Sequence, residues 1–170
     1  MTDSGGMSFD DVLAGNERYA ATYRDEGLQG RAACGLAVVT CMDSRIEPLQ
    51  MLGLQRGDAK ILRNAGARVT DDVLRTLVLA VALLGVERVL VVPHTDCGMT
   101  RRSDSEVQEA VRACTGVDAR SIDFSTISDQ VQALHKDVQR IRSWPFLPQG
   151  MPVAGAVYDV RAGRLDVVVP

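Results

Sequence analysis

The 170 residues carry a formal net charge of −3, with 46% hydrophobic and 24% charged residues, as in an ordinary globular chain of one domain. That balance offers no basic footprint for nucleic acid, and no apolar stretch reaches the roughly 18 residues a membrane span needs. The polar start, Met1-Thr2-Asp3-Ser4-Gly5-Gly6, lacks the apolar core of a secretory signal, so a cytoplasmic protein with neither nucleic acid nor membrane as partner is expected.

Residues 1–7 read as disordered. Ser8 reads as the N-cap of a helix over 8–24, with Asp10 and Asp11 favouring its positive end. Its apolar stripe, Phe9, Val12, Leu13, Tyr19 and Tyr23, needs a surface to dock on. The apolar run 36–39, bounded by Gly35, reads as a buried parallel-type strand that runs into Cys41-Met42-Asp43-Ser44-Arg45. A short helix over 46–52 follows, with Pro48 in its first turn and Gly53 closing it. A turn through Gln55 leads to a second strand over 59–63. Small residues then follow in Asn64-Ala65-Gly66-Ala67, where backbone can approach a ligand closely.

An amphipathic helix over 69–84 has Thr70 and two first-turn acids at its start and Gly85 just past its end. The third strand, 88–93, runs into His94-Thr95-Asp96-Cys97-Gly98, and Cys97 is expected to begin a helix whose dipole favours a thiolate. The polar stretch beyond reads as a helix over 106–114 and a surface loop over 116–125. Ser128-Asp129 caps a helix carrying Val131, Leu134, Val138 and Ile141, on which His135 reads as exposed. Two last strands, 153–160 and 165–169, form an antiparallel hairpin. The alternation predicts an α/β fold over residues 1–170 as a single domain: a mainly parallel five-stranded sheet of order 2-1-3-4-5, its last strand antiparallel at the edge, flanked by helices.

In that order strands 1 and 3 are neighbours about 4.8 Å apart at the topological switch point. Cys41, His94 and Cys97 can then converge on one tetrahedral Zn2+. Two sulfurs and one nitrogen are one donor fewer than a closed structural zinc site uses, which leaves the fourth position to water or to Asp43 and marks a catalytic site. Two rival readings are weaker. A core cysteine beside an unrelated His-x-x-Cys requires a coincidence at two strand ends. A phosphatase-like loop through Cys41 and Arg45 requires a Gly-rich amide cradle that this segment lacks. Cys34 and Cys114 show no disulfide scaffold pattern.

Cys41-x-Asp43-x-Arg45 followed by His94-x-x-Cys97-Gly98 resembles the β-class carbonic anhydrases, from about residue 36 to 100 and more weakly through the N-terminal helix and the last two strands. The resemblance implies a zinc lyase, a carbonate dehydratase that interconverts CO2 with bicarbonate and a proton through a zinc-bound hydroxide. Its Zn2+ ligands would be Cys41, His94 and Cys97; Asp43 and Arg45 would form a catalytic dyad, with Asp43 also a fourth ligand in a closed state. Substrate contacts are implied for Gln55 from an adjoining subunit and for Gly66, Ala67 and Gly98. The N-terminal helix would pack across a neighbouring subunit in a homodimer or homotetramer. The same fold and metal site also serve carbon disulfide and related heteroallenes. A zinc-bound regulatory or interaction protein without catalysis is the alternative from another class. At Met99 the chain departs from the commonest family pattern, in which a second glycine often follows Gly98.

Overall fold

The computed structural model describes residues 9–170, so the expectations for residues 1–7 and for Ser8 as a cap lie outside the described residues. Five strands form one sheet: β1 (Leu36–Cys41), β2 (Ala59–Asn64), β3 (Arg88–Val92), β4 (Val153–Asp159) and β5 (Arg164–Val169). Their order is β2-β1-β3-β4-β5, parallel except for the β4–β5 hairpin, as the alternation predicts.

The helices are α1 (Asp10–Thr22), α2 (Pro48–Met51), α3 (Asp71–Leu84), α4 (Asp104–Thr115) and α5 (Gln130–Arg142). α3 begins where the Thr70 hydroxyl accepts from the Val73 N–H and ends at Gly85 in the left-handed conformation, a backbone state that costs glycine nothing. α4 begins two residues earlier than the expected 106, because Ser103 and Glu106 form a reciprocal capping box that satisfies two orphan donors. α1 buries no residue in the single chain; Phe9 precedes it without a side-chain cap, and Val12, Leu13, Tyr19 and Tyr23 are all exposed.

β1 is buried at every position, which explains its unbroken apolar reading in place of an alternating one. One face of the sheet, with Ala37, Val39, Val89, Val91 and Val153, packs on Leu74 and Leu77 of α3 and on Leu134, Val138 and Ile141 of α5. Each fully buried Leu or Ile there contributes about 1.5–3 kcal/mol. The other face, with Leu36, Val38 and Val92, meets only Met51, Leu52, Leu54 and a few strand neighbours. An apolar groove of about 490 Å³ opens at the amino ends of the strands, lined among others by Leu36, Leu52, Leu54 and Leu90.

Two expectations are corrected by local competition. Cys97 does not begin an α-helix: Gly98–Thr100 make a single 3-10 turn before the chain restarts at Ser103. Val131 is exposed, because Gln130 takes the first place on the inward stripe of α5 and turns its side-chain amide onto the His94 carbonyl at 2.8 Å. Asp137 fills another place on that stripe, buried with its carboxylate 2.7 Å from Arg68.

Candidate metal centre

Thr40 of β1 pairs with Val92 of β3, so the next residues of both strands emerge together at the carboxyl edge. The Thr40 hydroxyl is buried and donates to the Val92 carbonyl at 2.8 Å, tying the two strand ends. Cys41, His94 and Cys97 are all buried, and their ligating atoms lie within 4.8 Å of one another. The two sulfurs are 4.0 Å apart, close to the roughly 3.8 Å spanned by two 2.3 Å zinc–sulfur bonds at the tetrahedral angle.

The orientation of His94 is set from outside the cluster. Its Nδ1 lies 2.8 Å from the Thr95 carbonyl, to which it donates, leaving Nε2 as the lone-pair nitrogen. That Nε2 is buried and has no hydrogen-bond partner among the described residues. A buried polar atom left unpaired costs on the order of 1–3 kcal/mol, and here it faces two sulfurs, the soft donor set that zinc prefers. The three residues fit zinc.

Charge at the two cysteines is unevenly shared. A hydrogen bond from Cys97 pulls the Cys41 thiol far down toward thiolate, helped by the backbone N–H of Gly66, 3.4 Å from its sulfur. The same bond, with burial, pushes the Cys97 thiol up. The pair thus holds one proton between two sulfurs. Gly66 supplies its N–H from a left-handed conformation, φ 78°. A side chain there would also press on Ile127 and Met99, whose atoms stand 3.1 and 3.2 Å from where a Cβ would lie. Ala67 shares the left-handed conformation and is buried. The Asn64 side chain closes this turn by bonding both the N–H and the carbonyl of Arg68.

Asp43 sits at the rim, its Oδ2 3.8 Å from His94 Nε2. Arg45 binds it through Nε at 2.9 Å and a terminal nitrogen at 2.7 Å, the paired geometry that suits a carboxylate. Those bonds, joined by the Arg45 backbone N–H, hold Asp43 well below the usual carboxylate range. Gly98 lies exposed beside the cluster. Gln55 does not join it within one chain: it is exposed just before β2, at the opposite end of the sheet. His135 lies exposed on α5, as read. Cys34 and Cys114 are free and exposed.

One residue of the rim escapes the motif reading. Asp96 lies between His94 and Cys97 and bonds both Arg45 and Arg101. Its only sequence signal is a carboxylate placed inside a ligand motif.

A parallel sheet with an open two-sulfur, one-nitrogen centre at its switch point defines an α/β metalloprotein of the zinc type. The family model described as carbonic anhydrase matches residues 36–165. Beta-carbonic anhydrase 1 of Mycobacterium tuberculosis is 35% identical over 161 residues, covering 95% of this chain and 98% of that protein. The carbonic anhydrase from Streptococcus mutans superposes with a TM-score of 0.89 at 38% identity, covering 95% of this chain and 98% of that one. A carbon disulfide hydrolase of Acidianus is 35% identical over 154 residues, covering 76% of this chain and 75% of that protein. The chain belongs to the carbonic anhydrase family, in its β class.

Proposed function

We propose that this chain is a zinc-dependent carbonic anhydrase, a carbonate dehydratase that hydrates CO2 reversibly to bicarbonate and a proton. The observation that carries the reading is the buried, unpartnered Nε2 of His94 facing two sulfurs 4.0 Å apart. In this reading Cys41, His94 and Cys97 would hold Zn2+. Zinc, when bound, supplies the Lewis acidity that makes water a nucleophile near neutral pH. Asp43, fixed by Arg45, accepts a hydrogen bond from the attacking water and aims its lone pair at CO2. Gly66, Ala67 and Gly98 keep the approach free of bulky side chains. Turned away from Arg45, Asp43 would add its carboxylate as a further donor to the same set.

The assembly proposal is a homodimer, with a tetramer as a pair of dimers. The exposed apolar stripe of α1 and the thinly covered Leu36–Val38 face support it, and it would bring Gln55 of one subunit toward the site of the other. A stable monomer by light scattering at micromolar concentration would count against it. A cytoplasmic home as one domain suits the free thiols; among the described residues no helix is long and apolar enough to cross a membrane.

The deciding experiment is stopped-flow CO2 hydration at alkaline pH on protein verified to carry one zinc per chain, with carbon disulfide hydrolysis assayed in parallel. Hydration abolished by Cys97→Ala sustains the reading. Turnover of carbon disulfide alone would move the chain to the heteroallene branch, and turnover of neither would favour a zinc-bound regulatory protein.

A further inference from the structure

Arg45 is bonded at every nitrogen of its guanidinium, and only half of those bonds go to Asp43. One terminal nitrogen donates to Asp96 Oδ2 at 2.9 Å, and the other, besides its bond to Asp43, donates to the Asp96 carbonyl at 3.1 Å. The second carboxylate oxygen of Asp96 accepts from Arg101. The chain of contacts therefore runs Asp43–Arg45–Asp96–Arg101. It joins the segment that follows Cys41, the last residue of β1, to the segment after β3, which carries His94 and Cys97.

Two features mark this as more than surface pairing. Asp96 holds φ at 59°, a left-handed conformation that few residues besides glycine, asparagine and aspartate adopt, and it turns the backbone so that both the carboxylate and the carbonyl meet Arg45. Arg45 is also 44% exposed on its side chain. At that exposure a single carboxylate holds an arginine weakly against water and its own rotamer freedom. A carboxylate on each side fixes the plane of the guanidinium, because its donors form a rigid fork.

We infer that Asp96 is a positioning residue: by holding the outer side of Arg45 it keeps the guanidinium in the plane that binds Asp43 at the mouth of the metal centre, with Arg101 steadying Asp96 from behind. The contact stands on geometry alone; its consequence for turnover rests on the carbonic anhydrase reading above.

The test uses the full chain with two substitutions, Asp96→Gly and Asp96→Asn. Both new residues accept the left-handed backbone, so melting temperatures should match the parent. The first readout is independent of activity. Nitrogen-15 NMR of the Arg45 side chain, assigned through Arg45→Lys, should show resolved, slowly exchanging guanidinium protons in the parent, with or without zinc. In Asp96→Gly these signals should average and exchange at least tenfold faster, with Asp96→Asn in between. In zinc-loaded protein kcat should fall about five- to tenfold in Asp96→Gly with KM changed less than twofold, and Asp96→Asn should recover part of it. Unchanged guanidinium signals in Asp96→Gly would overturn the tether. Freed guanidinium signals with parental kcat would reduce Asp96 to a structural contact and overturn the positioning role. A parent chain without CO2 hydration would refute the functional reading, while the NMR comparison would still decide the tether.

Discussion

Loading the metal should release protons, and the spacing of the sulfurs says how many. Two thiolates 4.0 Å apart repel by about 4 kcal/mol at an effective dielectric of about 20. That is about three orders of magnitude in the second ionisation constant. The metal-free pair therefore keeps one proton at pH 7, held between Cys41, pulled down, and Cys97, pushed up. A bound dication removes the repulsion, so both sulfurs bind as thiolates and the Cys97 proton leaves. At least one proton per zinc should thus appear at pH 7. The sign follows directly: raising the pH removes the competing proton, so apparent zinc affinity rises about tenfold per pH unit for each proton released, until Cys97 ionises unaided. Calorimetric titration of the apoprotein with zinc, in buffers of different ionisation enthalpy, measures the number. Zinc uptake at pH 7 with no proton release, or an affinity unchanged from about pH 6 to 8, would refute the charge assignment.

Three further outcomes are expected. Asp43→Ala should keep stoichiometric zinc by elemental analysis yet lose roughly 10²-fold or more in kcat, the usual scale for removing a positioned proton acceptor. Asp137→Ala should cost about 3 kcal/mol by leaving the largely buried Arg68 charge with, among the described residues, only the Ser125 carbonyl as a side-chain partner; thermal unfolding should fall by about 6–12 °C. Gly155→Ala places a Cβ 2.8 Å from two carbons of Leu134. That overpacking should cost about 1–3 kcal/mol in denaturant unfolding and push α5 off β4.

The sheet order and the convergence of Cys41, His94 and Cys97 were legible because both rest on strong signals. β1 is buried on both faces, so its residues read as one apolar run; β3 reads nearly as clean, and the ligands follow each run at once. What the pattern does not show lies where a side chain does something its hydrophobicity does not announce. Asp137 occupies an inward place on α5 because Arg68, far off in sequence, meets it there. Gln130 displaces Val131 from the stripe because a carbonyl of the His94 loop needs a donor. The turn after Cys97 stays one 3-10 turn long because Ser103 and Glu106 nucleate a separate helix; that Ser-x-x-Glu signal was present in the sequence and is the one avoidable miss. Asp96 could not be assigned in advance, since its partners are chosen by the fold.

The two cysteines stand 56 residues apart, one at the end of β1 and one in the segment after β3, and these become neighbours only when β1 and β3 pair across the β2–α3 crossover. An isolated zinc finger closes its ligands over a short loop, so the ion can recruit its own fold. Here the entropic cost of closing so long a loop must be met by sheet and core before any donor meets another. The ion enters a finished scaffold. Its hold on the protein then appears as slower unfolding, and the speed of folding belongs to the polypeptide alone.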